Sequence, residues 1–312
     1  MGQMAQRLVQ ALGPRRVKDQ PEQTSLGYCW HRVEQYVGVG APLRFWWKQL
    51  PNADVLYENL QLVYRIGPWT EGRLRLQGVH DLRQLVNEPR FAHSAQEVLA
   101  AIGRAAVHEL AQWGAEPPAL LTFFQPEQLM FLDLETTGLA PAQPLFLVGV
   151  ATLAEDDLWV DQYLARNESE EGAVLAAAAQ RVKGHPVVCT FNGKSFDLPY
   201  LQQRSWFWRQ PWDWHPWQVD LLTPSRRRYR YVLEDCRLET LCHQVLGRSR
   251  TADIPGALIP AQYRQFTEEG DWGLMEPILR HNAEDLVALS FLLEHLYSPA
   301  APSLVERQGQ VG

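Results

Sequence analysis

No stretch of the 312 residues comes near the ~18–20 consecutive apolar positions that a membrane-crossing helix needs, so no membrane partner is expected. Cysteine is scarce. Cys29, Cys189, Cys236 and Cys242 form no CxxC pair and have no histidine at zinc spacing. That excludes a thiolate metal site and a disulfide framework, and predicts reduced thiols. The opening MGQMAQRLVQALGPRRVKDQ lacks the long apolar core and cleavage site of a secretion signal, and the serines of a transit peptide. These absences together predict a cytoplasmic protein. There is no internal repeat. A nucleotide phosphate-binding loop is missing too: Gly193-Lys194-Ser195 has the ending of one, but the glycine required five positions earlier is Val188.

Net positive charge is also absent. The formal charge is −7, which by itself counts against a polyanionic partner. Its distribution is uneven: residues 1–130 carry 13 Lys and Arg against 12 Asp and Glu, and residues 131–312 carry 16 against 24. Part of the acidic surplus thus sits where a cation can neutralise it, while Arg226, Arg227, Arg228 and Arg230 bunch together. The bunch reads equally as a phosphate contact or a solvated loop.

Short alternating runs over 28–76 (YCWHRVEQYV, PLRFWWKQL, VLYENLQLVYRI) predict a small β-rich region. LQGVHDLRQLVNEPRF reads as a structural helix pair. Ser94 and Glu97 form a capping box that opens a helix to about Trp113, closed by Gly114. Pro117, Pro118 and Pro126 mark a linker. From residue 129 three strands follow one another (LMFLDLE, PLFLVGVATL, LWVDQYL). After them come the helix SEEGAVLAAAAQRV, the strand PVVCTF, a turn into the helix of NGKSFDLPYLQQR, the strand WQVDLL, and the helices LETLCHQVLG and MEPILRHNAEDLVALSFLLEHL. The predicted fold class is α/β: a ribonuclease-H-like mixed sheet flanked by helices, with a smaller N-terminal α+β accessory region. The expected divisions are residues 1–125, 126–300 and a tail over 301–312.

FLDLETTGL puts Asp133 and Glu135 two apart on a strand, hence on one face. Burying an unpartnered charge costs several kcal/mol or more, so such a pair must share protons or meet a cation. Asp197 follows a strand and the Asn192-Gly193 turn, opening a helix at the carboxyl edge where α/β ligand sites gather. It also reads as a plain helix cap. Asp285 borders the apolar stripe of Leu286, Leu289 and Leu293, with His281 four residues earlier on the same face; a solvated helix face is the alternative. Four acids suit two hard divalent ions, Mg²⁺ or Mn²⁺. A pair of such ions ~3.5–4 Å apart can activate water and stabilise the leaving oxygen in phosphodiester hydrolysis.

FLDLETTGL, FLVGVA, TFNGKSFDLPYL and HNAEDL resemble the motifs of the DEDD exonuclease superfamily, and closest its YprB-like, ribonuclease-H-like branch. CRLETLCHQVLG, DIPGALIPAQY and the GD of EEGDWGLMEPILRHN fit that branch as well. The resemblance covers about residues 129–298. It implies Asp133 and Glu135 as first-motif metal ligands, Asp197 as the second-motif acid and Asp285 as the last. One position departs from it: the better-known branches place a Tyr four residues, or a His five residues, before the final Asp, and here His281 stands at the tyrosine spacing. A histidine, with an ordinary pKa near ~6.5, can act as general base; otherwise His281 packs or touches substrate.

Asp220 reads as an auxiliary ligand or a strand-end acid, Thr136 and Lys194 as substrate contacts, and Asn192 as a substrate contact or a residue that only makes the turn. Trp206, Trp208, Trp212, Trp214 and Trp217, like Trp46-Trp47, either stack unpaired bases or pin loops. The resulting expectation is a two-metal-ion 3′→5′ exonuclease on single-stranded DNA or RNA. Its alternatives are a catalytically silent nucleic-acid-binding protein and an endonuclease or junction-processing enzyme.

Overall fold

The computed structural model describes residues 14–140, 142–248 and 254–298. Most of the leader stretch, Asp253 of DIPGALIPAQY and the expected tail over 301–312 lie outside the described residues. The chain divides into two compact units: Met1–Arg44 together with Glu127–Gly312, and Phe45–Pro126.

The first unit is built on one seven-stranded sheet. Its strands are β1 (Arg15–Thr24), β2 (Gly27–Tyr36), β3 (Leu129–Thr136), β4 (Leu145–Ala154), β5 (Asp157–Leu164), β6 (Val187–Thr190) and β7 (Trp217–Asp220). They lie in the order β1-β2-β5-β4-β3-β6-β7. β1 through β5 pair antiparallel, while β3, β6 and β7 pair parallel. This is the mixed α/β sheet expected.

Its front differs from expectation. The hairpin β1–β2 joins the sheet through β5, so the described residues up to Arg44 belong with the sheet, and the separate region is 45–126 rather than 1–125. β1 carries no apolar alternation, because RRVKDQPEQT is an edge strand whose charge and proline protect an open edge.

Faces of the sheet follow from strand alternation. On β5, Asp161 accepts from Arg181 Nε at 2.8 Å, on the helix Glu171–Arg181. The next residue, Gln162, turns the other way, to the long helix Trp272–Tyr297. The two helices therefore cover opposite faces. Leu132, Leu134, Phe146, Val148 and Val150 pack with Ala173, Val174, Ala177 and Ala178 of the first helix in one buried cluster. The run of alanines there permits close approach. The long helix packs on β3, β4 and β5.

The second unit is helical, with Val55–Glu58, Pro68–Leu76, Leu82–Leu85, Ala92–Gly103, Val107–Gln112 and Pro117–Leu121. Strands expected over 41–76 are absent among the described residues. PLRFWWKQL buries Leu43, Trp46 and Trp47, a spacing of three and four that belongs to the helix Ala41–Trp47. Ser94 is not a cap, because its helix already begins at Ala92. The expected linker holds a short helix with Leu120 and Leu121 fully buried. No described helix is long and apolar enough to cross a membrane.

Candidate active site

The parallel strands β3, β6 and β7 end on one edge of the sheet, and Asp197 lies there within electrostatic reach of Asp133 and Asp220. On β3 the burial pattern alternates after Leu132: Asp133 and Glu135 are half-buried, while Leu134 and Thr136 are buried. β6 pairs with β3 over Leu129–Phe131 only. Beyond that point the amide of Leu134, which lies between the two acids, donates to the carboxyl of Asp197.

Asp197 opens the helix Asp197–Phe207 and is 5 % exposed. Burial first, and the neighbouring Asp133 second, push its carboxyl well above the usual carboxylate range; Asp220 adds to the effect. Two acids distant in sequence are thus close enough to oppose each other's ionisation.

Asp220, at the end of β7, holds the turn that leads to Asp197. Its Oδ1 accepts from the backbone N–H of Asn192 at 2.9 Å and of Leu222 at 3.0 Å, and its Oδ2 from Lys194 at 3.1 Å. Asn192 takes a left-handed backbone (φ 69°), a conformation asparagine tolerates better than most residues. The side chains of Asn192 and Lys194 are exposed. Thr136 Oγ1 donates to Gly138 O at 2.8 Å. The loop beyond is pinned by Tyr200, whose hydroxyl lies 3.1, 3.1 and 2.9 Å from the carbonyl oxygens of Gly138, Ala140 and Gln143.

Asp285, expected as the last acid, lies on the long helix. Asp285 is buried, and its Oδ2 lies 3.3 Å from His281 Nε2. One turn earlier and on the same face, Asn282 Nδ2 donates to Asp133 Oδ2 at 2.7 Å, which brings this helix onto β3. Sequence reasoning missed Asn282 and two residues that serve it, Gln162 and Gly149. A lone glycine inside the apolar run of β4 was the available signal, since such a position marks a close approach.

Among the described residues, no group of three or more His, Cys, Asp or Glu is already gathered closely enough to hold a metal ion. The donor chemistry nevertheless fits a hard cation. The acids are oxygen donors, at least two of them repel each other, and Asp197 is forced toward its neutral form.

A model of the RNase H superfamily matches residues 130–297. The chain belongs to the RNase H superfamily. No curated protein matches it. Membership points to a nuclease-type hydrolase with nucleic acid as substrate class, and ribonuclease-H-like nucleases generally use divalent metal ions.

In this RNase H-superfamily chain the arginine bunch lies on or just beyond the helix Leu222–Tyr229 rather than in a loop. Arg228 Nη1 lies 3.5 Å from His295 O and 3.4 Å from Leu296 O. Trp46, Trp47 and Trp217 are buried. Trp208 Nε1 donates to Glu171, and Trp214 Nε1 to His185 O at 2.9 Å, so these rings pin loops. Trp206, 66 % exposed, remains as a surface ring.

Proposed function

We propose that this protein is a divalent-cation-dependent nuclease, a 3′→5′ exonuclease on single-stranded nucleic acid. The observation that supports it most is the burial of Asp197 against Asp133 at the carboxyl edge of the parallel strands. A fold that crowds two carboxylates in a dry place, so that each opposes the other's ionisation, is arranged to receive a cation.

Asp133, Glu135, Asp197 and Asp285 would hold Mg²⁺ or Mn²⁺. When bound, a pair of such ions supplies an activated water and charge stabilisation for the leaving oxygen. The chain's own residues do the rest. Asp220 fixes the turn that aims Asp197, and Asp285 orients the His281 ring. His281 accepts a proton from the attacking water. Lys194, exposed beside that turn, would meet a substrate phosphate, and Thr136 and Asn192 would contact substrate beside it.

The test is a time course on labelled single-stranded RNA and DNA with and without Mn²⁺. Asp133→Ala and Asp285→Ala abolish hydrolysis while far-ultraviolet circular dichroism stays that of the wild type; undiminished cleavage by either variant overturns the assignment. Single nucleotides released from 3′ ends identify an exonuclease, and cuts in a circular substrate identify an endonuclease. A second reading, a nucleic-acid-binding protein that does not cleave, is favoured by the lack of a closed three-donor cage among the described residues. Retained binding with no product in Mn²⁺ supports it.

A further inference from the structure

One row of residues crosses the sheet from its edge to the site. Cross-strand pairing places Asp19 opposite Arg32, Arg32 opposite Gln162, Gln162 opposite Gly149, and Gly149 opposite Asp133. The long helix lies over this row. Arg32 donates to Asp19 and, at 3.0 Å, to Glu276 near the start of that helix. Two turns on, Asn282 reaches down into the space over Gly149. A methyl group built on Gly149 would sit 2.1 Å from Asn282 Oδ1, so any larger residue displaces this side chain from where it lies.

The orientation of the buried amides follows from their chemistry. A carboxylate only accepts, so Asn282 must turn its nitrogen to Asp133, at 2.7 Å. Its Oδ1 then accepts from Gln162 Nε2 at 2.8 Å, while the same nitrogen donates to Leu279 O at 2.7 Å. Neither amide can turn over without losing bonds. Asn282 is 0 % exposed and Gln162 1 %.

The arrangement carries a cost, because Gln162 Oε1 is buried with no hydrogen-bond partner among the described residues. A pair of aliphatic side chains would fill the space without that penalty. Stability alone therefore does not account for the relay.

We propose that Asn282, aligned by Gln162 and admitted by Gly149, is a positioning residue that fixes the Asp133 carboxylate in the orientation that receives a divalent cation. The proposal rests on the site reading above. A neutral amide is suited to the task, because it orients the carboxylate by a charge-assisted hydrogen bond without cancelling its charge. A lysine or arginine there would compete with the incoming ion. The one arginine in the row, Arg32, is kept three strands away from Asp133 and is neutralised by Asp19 and Glu276.

The experiment is Mn²⁺ titration of the full chain by electron paramagnetic resonance, alongside kcat and KM on a labelled oligonucleotide and thermal melting. Asn282→Ala weakens Mn²⁺ binding by roughly tenfold or more and lowers kcat more than it raises KM. Gly149→Ala does the same without removing any polar group. Gln162→Ala, one residue farther from the acid, gives a smaller loss in the same direction, and the Asn282→Ala/Gln162→Ala double variant binds Mn²⁺ no worse than Asn282→Ala alone. Asn282→Ala that melts lower yet binds Mn²⁺ as the wild type does, while Asp133→Asn has lost it, overturns the proposal and leaves the site reading standing. Wild-type protein with no Mn²⁺ binding that Asp133→Asn removes overturns both.

Discussion

Replacing Asp197 with asparagine removes the charge that this fold tolerates least while keeping the size and the acceptor that faces the Leu134 amide. Burial and Asp133 hold the carboxyl well above its ordinary range, so folding favours the protonated form. The sign follows. Below the unfolded-state pKa, about 4, both states are protonated and the acid costs nothing. As pH rises from there to the raised folded-state value, the unfolded chain loses its proton while the native chain keeps it, and stability declines; above the folded value the deficit is constant. Each unit of displacement is worth about 1.4 kcal/mol, which in a unit of this size moves Tm by roughly 3–5 °C.

In EDTA, Asp197→Asn therefore melts higher than the wild type at pH 8, and the gap closes as pH falls toward 4. Added Mn²⁺ raises the melting temperature of the wild type and much less that of the variant, which is inactive. Differential scanning calorimetry across pH reads all of this. A variant that melts at or below the wild type at pH 8 without metal, or a gap independent of pH, refutes the claim that carboxylate crowding is paid for in stability.

Two further perturbations probe the supports of the site. Glu171, 1 % exposed, accepts from Arg204 Nε at 2.7 Å, from Trp208 Nε1 at 2.8 Å and from the Leu145 amide at 2.8 Å; Glu171→Gln leaves the Arg204 charge buried and costs about 3–5 kcal/mol in urea denaturation, and an unmoved midpoint contradicts the buried pair. Asp220→Ala strips three backbone amides of their acceptor. That speeds hydrogen exchange at Asn192 and Lys194, costs about 1–2 kcal/mol because the turn is solvent-facing, and lowers activity by loosening Asp197; unchanged exchange rates contradict the clamp.

What could be read from the chain alone was whatever local pattern encodes. The alternation of LMFLDLET survives as burial on β3, and the start of a helix at Asp197 is legible because a strand, a turn and a helix meet there in sequence. Charge hid β1, since an edge strand such as RRVKDQPEQT has no apolar face to show. The stretch PLRFWWKQL reads as alternation, but its burial at Leu43, Trp46 and Trp47 is that of a helix. Asn282 was out of reach for a different reason. Its partners Gln162 and Asp133 lie 120 and 149 residues away, and only the cross-strand register brings them into one row. Asp220 was seen as an acid near the site, but its work as an acceptor for a turn on a neighbouring strand depends on β6 and β7 lying side by side.

The ion pair between Arg44 and Glu127 joins the residue before the helical unit to the residue after it. Two points 83 positions apart in the chain are thus within a short peptide of each other, the geometry expected where one domain has been spliced into a loop of another. A deletion between those two points would need only a short bridge, whereas loss of the leading hairpin would leave the ladder of β5 from Leu158 to Leu164 open to any passing strand.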